Sequence, residues 1–297
     1  MFVKAIEIAT NFTRPFTSIS RVYGEQNAEP GCATFIIVNN EGWILTCKHV
    51  ARQVAIADLV NKQYQNFKSE ISLLNKGDRH YKSRVKEIEK KYGYTKGKGI
   101  LIQQKNMFVN VVDKMTGFKI FEHPKYDIAL IRLDGFGKIL CDTFPVFAND
   151  SSDLKQGKSL CRLGYPYPEF TNYEYSEKID DIVWTNTGRN QTPLFPMDGI
   201  MTRNCMDDSK IVEIELSTPG LRGQSGGPLF DVNGVIYGMQ SATLTLPLGF
   251  DQESRVIKVK VVEKKVNDYS FIHLGRCVHV DVLKSFMDSL GVKSQVG

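Results

Sequence analysis

Gly220-Leu221-Arg222-Gly223-Gln224-Ser225-Gly226-Gly227-Pro228-Leu229-Phe230 sets one serine among four glycines. Glycine adopts positive φ without a Cβ penalty and lets amides stand where a side chain would obstruct them. A serine in such a turn can be a nucleophile, with the amides of Gly223 and Ser225 aimed at an oxyanion. Taken by itself, the run is equally a Gly-rich hairpin loop that contains a serine. Leu229 to Val232, then Asn233-Gly234, then Val235 to Gly238 follow it and read as strand, tight turn, strand.

Two catalytic templates fit. Gly223-Gln224-Ser225-Gly226-Gly227 matches the Gly-x-Ser-x-Gly elbow of α/β-hydrolases, which needs a helix after the serine and an acid and a histidine later in the chain. The hairpin after Ser225 and the short remainder of about 70 residues, holding His273 and His279, disfavour it. The other template runs His, Asp, Ser in chain order. Gly42 to Val50 is an apolar strand ending at His49, and Asp127 heads the apolar strand Ile128 to Leu133. A histidine after a strand or an aspartate before one is ordinary in isolation; the ordered set with Ser225 is not.

These segments resemble the trypsin/chymotrypsin-like serine protease superfamily, and most closely the bacterial trypsin-like and HtrA-like protease domains, over most of residues 30 to 245. Thr46-Cys47-Lys48-His49-Val50 is similar to the family's Thr-x-x-His-Val, Tyr126-Asp127-Ile128-Ala129-Leu130 to its Asp-Ile-Ala-Leu, and Gly223 to Pro228 to its Gly-Asp/Asn-Ser-Gly-Gly-Pro. Leu154-Lys155-Gln156-Gly157 and Leu163-Gly164-Tyr165-Pro166 resemble the opening of the second barrel. No PDZ-like domain is read after the protease-like region. The resemblance implies an all-β dominated fold of two packed six-stranded antiparallel β-barrels. It implies that residues 1–135 form the first barrel, with His49 and Asp127, and 136–297 the second, with Ser225. It implies peptide-bond hydrolysis by His49, Asp127 and Ser225, an oxyanion hole at Gly223 and Ser225, and extended substrate adding as a strand along Ser241, Ala242 and Thr243. The runner-up is a protease-like fold that binds protein or nucleic acid with little catalysis.

Two departures from the family pattern matter. Secreted trypsins place a cysteine after the catalytic histidine, where this chain has Val50, and another shortly before the serine. The six cysteines (Cys32, Cys47, Cys141, Cys161, Cys205 and Cys277) are therefore expected to be free thiols in a reducing compartment. Residues 1 to 30 carry Lys4, Glu7, Arg14 and Arg21 and no apolar run resembling a secretory leader, so a cytoplasmic location is expected. The second departure is Gln224, where secreted trypsins have an aspartate that pairs with a newly released amino terminus. Gln224 has no charge for that pair, and activation by that route is not expected. Pro219 and its neighbours are expected to wall the primary pocket, where no aspartate announces a preference for basic residues.

The chain has 297 residues, 42% of them apolar, and net charge +5. Two barrels need about 200 residues, so roughly a third of the chain is left for insertions and termini. From His49 to Asp127 is 78 residues, and the excess is charged. Residues 62 to 98 carry eleven Lys and Arg against four Asp and Glu, or +7. Leu59, Tyr64, Phe67, Ile71 and Leu74, and then Val85, Ile88 and Tyr92, recur at near-helical spacing. A helical hairpin broken near Gly77-Asp78 is expected within 51–105, beyond a short helical turn carrying His49. It is read as a solvated insertion or as a docking surface for a regulatory protein partner. Nucleic acid is not expected there, since the charges are mixed and no base-reading motif accompanies them. No run long enough to span a membrane is present, and neither a cofactor nor a metal is called for.

Elsewhere, Phe2 to Ile8 suggests a short strand or lead-in, and Ser18 to Gly24 a first barrel strand. Met107 to Val112 and Phe118 to Phe121 suggest a hairpin around Lys114 to Gly117. The aromatic-rich segment 165–198 reads as a cleft-bordering loop or an ordinary packed one. A helix over about 279–290 closes the chain, with His279 and Asp281 as cap and surface groups.

Overall fold

A computed structural model describes the backbone of residues 1–259 and 262–297, and the side chains of residues 1–249 and 270–297. The chain opens with helix α1 (Val3–Thr10) instead of the lead-in strand. Phe2, Ala5, Ala9 and Phe12 are buried at helical spacing, and the helix lies against strands of both barrels. Then come β1 (Thr13–Val22), β2 (Glu29–Ile37), β3 (Trp43–Thr46), α2 (Lys48–Ser72), α3 (Tyr81–Tyr92), β4 (Leu101–Phe108), β5 (Gly117–Glu122) and β6 (Ala129–Asp134).

The first sheet has the order β4-β1-β2-β3-β6-β5 and curls so that its edge strands approach through Phe108 and Phe118, whose ring centroids are 5.7 Å apart. β4 pairs with β1, and β5 with β6. The hairpin expected across residues 107–121 does not form, because each strand finds its hydrogen-bonding partner elsewhere in the sheet.

The remaining elements are β7 (Val146–Phe147), β8 (Ser159–Gly164), β9 (Tyr173–Ser176), β10 (Asp181–Trp184), β11 (Phe195–Asp207), β12 (Lys210–Leu216), β13 (Pro228–Phe230), β14 (Ile236–Val259), β15 (Val262–His279), α4 (Val280–Ser289) and β16 (Gln295–Val296). The second sheet runs β13-β8-β11-β12-β15-β14-β7-β16, and a further β13–β14 ladder closes its first six strands into a ring. The two-residue strands β7 and β16 are parallel additions at its edge, so this sheet is larger than the six strands expected. The architecture is that of a chymotrypsin-like double barrel, mostly β.

One apolar core runs through both barrels, from Phe35, Ile44 and Leu130 in the first to Leu163, Phe230 and Met239 in the second. The insertion is a helical hairpin, with a separate cluster of Tyr23, Tyr64, Phe67 and Tyr94 under it. The expected short turn at His49 is instead the first turn of α2, a helix of 25 residues that continues into the insertion. Among the described residues, no helix is long and apolar enough to cross a membrane.

Candidate active site

His49 and Asp127 come together because adjacent strands deliver them. β3 pairs with β6 in register Thr46↔Ala129, so the residues just past one strand end and just before the other meet. His49 Nδ1 lies 2.7 Å from Asp127 Oδ2, and the His49 amide donates to Asp127 Oδ1 at 3.0 Å. The carboxylate thus holds both the ring and the backbone at the start of α2. Burial pushes the Asp127 carboxyl up, but the two hydrogen bonds from His49 outweigh it and leave its pKa below the ordinary value. Asp127 is therefore anionic at neutral pH and fixes the tautomer with the proton on Nδ1 and a basic Nε2.

Ser225 sits in the second barrel and lines the same cleft, a space of about 610 Å³ also walled by His49, Cys32, Pro166, Arg222 and Gly223. No hydrogen bond joins Ser225 Oγ to His49 among the described residues, a common state of a site without substrate. The turn before it is closed by Gln224 N–H donating to Leu221 O at 3.0 Å, with Gly223 at φ +93°. Positive φ at the third residue is the mark of a type II turn. A Cβ on Gly223 would stand 2.5 Å from Tyr165 O. Neither Gly223 N nor Ser225 N has a protein acceptor among the described residues.

Gln224 is fully buried. Its Oε1 accepts from Leu221 N at 3.0 Å, and its Nε2 donates to Phe195 O at 3.2 Å. An uncharged amide therefore braces the turn from within, with no new amino terminus required. The glycines after the serine are enforced by contact: a Cβ on Gly226 would lie 2.0 Å from Thr34 O, and one on Gly227 2.0 Å from Leu163 O.

Thr34 was not legible as a site residue. Its amide donates to Ser225 O at 3.1 Å, and its hydroxyl donates to Gly223 O at 2.7 Å and accepts from Tyr165 N at 3.0 Å. One buried threonine of β2 thereby fastens the serine turn to the first barrel, where His49 and Asp127 reside. No local motif marks it.

Ser241, Ala242 and Thr243 lie in β14, with Ala242 paired to Arg276 and Thr243 to Gly275 of β15. Ser241 Oγ donates to Arg276 O at 3.1 Å, and Thr243 Oγ1 donates to Gly220 O at 2.7 Å. The segment thus runs beside the approach to Ser225. Within 165–198, the aromatics Phe170, Tyr173, Tyr175 and Trp184 pack with Ile19, and it is Pro166 and Pro168 that border the cleft.

All six cysteines are free. Cys47, His49 and Asp127 offer donor atoms within 4.8 Å of one another. Burial and then the charge of Asp127 push the Cys47 thiol well above its ordinary pKa. It stays protonated, donates to Gln240 O at 3.2 Å, and is packed as a small apolar group; a metal there would require the thiolate.

Residues 33–239 match the family model described as a trypsin-like peptidase domain. No curated protein matches the chain significantly in sequence. Among solved structures, the HtrA-type protease AlgW with a tripeptide is similar at TM-score 0.49 and 13% identity, over 98% of this chain and 63% of that one. The same protease with a decapeptide is similar at TM-score 0.49 and 13% identity, over 98% of this chain and 67% of that one. The chain spans 63% of the length of the first of these.

Proposed function

Because the chain belongs to the trypsin-like peptidase domain family, we propose that it is a serine endopeptidase acting through His49, Asp127 and Ser225. The observation that carries this reading is the His49–Asp127 pair at 2.7 Å, opening on the cleft that Ser225 lines. Ser225 Oγ adds to the carbonyl carbon of the scissile bond while His49 Nε2 takes its proton. The resulting oxyanion is held by the amides of Gly223 and Ser225, each worth about 3 to 4 kcal/mol in comparable sites. Collapse breaks the C–N bond, and His49 returns the proton to the leaving amine. Water then repeats the sequence on the acyl-enzyme, with Asp127 balancing the imidazolium charge at each turn.

The finer reading is an intracellular enzyme whose substrate is protein or extended peptide laid along Ser241 to Thr243. Six free thiols suit a reducing compartment. A regulatory protein partner on the basic insertion is supported by the continuity of α2, which carries His49 at one end and the insertion at the other. The buried Gln224 brace favours a site formed without proteolytic activation.

The test is labelling by a fluorophosphonate in reducing buffer, wild type beside Ser225→Ala. Labelling of the wild type alone is the expected result. Labelling that survives in Ser225→Ala would remove Ser225 from its role. No labelling of either would sustain the other reading, a protease-like binding module.

A further inference from the structure

Arg162 in β8 is fully buried. Among the described residues, buried Arg21 pairs with Asp180 at 2.7 Å and buried Glu215 with Arg203 and Arg276 at 2.9 and 3.3 Å, while buried Asp231 accepts from the amides of Asn233 and Val235 at 2.8 and 3.1 Å. The guanidinium of Arg162 has no carboxylate among the described residues. Nη1 donates to Gln240 Oε1 at 2.8 Å, Nη2 donates to Thr218 Oγ1 at 2.6 Å and to Thr218 O at 3.0 Å, and Nε has no partner. An unpaired cation out of water costs several kcal/mol. Burial lowers its pKa accordingly.

Its partners give the place a meaning. Thr218 stands at the head of the run that leads through Gly220 and Gly223 to Ser225. Gln240 is tied by its backbone to the residues just after the serine, accepting from Gly226 N at 2.9 Å and donating to Gly227 O at 2.8 Å. Both segments therefore leave the serine turn and meet again where Thr243 Oγ1 donates to Gly220 O. The guanidinium lies between them. The facing walls are glycine: a Cβ on Gly220 would be 2.1 Å from Gln240 Nε2, and one on Gly275 2.2 Å from Arg162 Nη1.

A peptide with its carbonyl carbon at Ser225 Oγ and its oxygen on the amides of Gly223 and Ser225, laid along Ser241 to Thr243, directs one side chain between these segments. It belongs to the residue that supplies the acyl group. We infer that Arg162 makes this position selective for aspartate or glutamate. The inference rests on the peptidase reading. The substrate carboxylate takes the place of Gln240 Oε1 on Nη1, and the displaced amide adds its Nε2 as a second donor. A charge-assisted bond then compensates a cation that the fold leaves unpaired. A basic side chain meets like charge, and an amide leaves the guanidinium uncompensated.

Two measurements on the full chain separate this inference from the reading beneath it. With Ser225→Ala, which removes the nucleophile, product peptides identical except for a last residue of Glu, Gln, Leu or Arg are titrated by fluorescence anisotropy. With wild type, kcat/KM is measured for substrates carrying the same four residues before the scissile bond. The expected result is a preference for Glu over Gln of about tenfold to a hundredfold in both, with Arg weakest. Equal values for Glu and Gln, or a preference for Leu or Arg, would overturn it. A Glu preference in binding without any hydrolysis would keep the pocket and remove the peptidase. Arg162→Leu is expected to erase the contrast between Glu and Gln without lowering Tm, since an apolar replacement relieves a buried charge. A contrast that persists in that variant overturns the assignment to Arg162. The wild-type peptide series stands by itself if leucine is not accommodated there.

Discussion

At the level of single residues, the site is a set of hydrogen bonds that each fix one degree of freedom. Asp127 accepts from both the ring and the amide of His49, at 2.7 and 3.0 Å, so it sets the tautomer and the position together. Asp127→Asn keeps the shape but presents an amide to Nδ1 and favours the wrong tautomer. The expected outcome is a loss of about four orders of magnitude in kcat, with an unchanged thermal unfolding midpoint. A variant that retains a tenth of the wild-type rate would show that Asp127 is a packing residue. Gln224 and Thr34 work on the other side of the cleft, bracing the serine turn through Leu221, Phe195, Gly223 and Ser225. Their roles are of positioning, since neither side chain needs to touch substrate.

At the level of elements, the feature that distinguishes this chain is that one helix holds His49 in its first turn and the insertion in its last. Tyr64 lies about 22 Å along α2 from His49. Its hydroxyl donates to Asp180 Oδ2 at 2.6 Å and accepts from Arg21 Nη2 at 3.3 Å. Asp180 closes the turn between β9 and β10 and also takes Arg21 and the Tyr175 hydroxyl, so this knot ties α2 to β1 of the first barrel and to the separate two-stranded sheet of β9 and β10. Tyr64→Phe is expected to cost about 1 to 3 kcal/mol, read as a lower urea midpoint at unchanged slope; a shift within error would mean that Arg21 and Tyr175 carry the knot without it. The strands that deliver His49, Asp127 and Ser225 were legible because each is an apolar run ended by a turn. The insertion's two helices were legible from Tyr64, Phe67 and Ile71, then Val85 and Ile88. The length of α2 was not, because its first half buries small residues, Ala51 and Ala57 beside Val50 and Val54, a weak periodic signal. α1 failed for a related reason: eight residues fit alternation and helical spacing about equally well, and only the two barrel surfaces it covers decide between them. Met107 to Phe121 was misread because nearness in sequence suggested a pairing that the curl of the sheet gives to other strands. Thr34 and Arg162 had no local signal at all, since Gly223 lies 189 residues from Thr34 and Thr218 lies 56 residues from Arg162.

At the level of the whole molecule, two histidines beside the C-terminal helix set how the fold meets acid. His123 opens the loop that leaves β5 and leads to Asp127; its Nδ1 accepts from Lys125 N at 3.1 Å and Tyr126 N at 2.9 Å, and its ring meets Phe286 of α4 edge-on. His279 caps α4, its Nδ1 accepting from Asp281 N at 3.2 Å while its Nε2 is buried without a partner. Burial, and then the charge of Lys48, lowers the pKa of His123. Burial lowers that of His279 against the opposing pull of Asp281, with Lys284 adding to the lowering. Both rings are thus held neutral in the folded protein, and protonation of either Nδ1 ends the bonds it accepts. The unfolded chain, with histidine near about pH 6.5, binds these protons first. Their contribution is complete above that value and falls away as pH drops toward the folded pKa values. Asp127, Asp180 and Glu215, all lowered by their partners, lose their contributions only further into acid, below about pH 4. Acid unfolding is therefore expected in two stages. Tm measured from pH 8 to 5 should fall in the wild type below about pH 6.5 and stay nearly level in the double variant His123→Gln, His279→Gln, whose side-chain amides accept hydrogen bonds without titrating. A parallel fall in both proteins would place the first stage on other groups and leave the two rings as neutral packing.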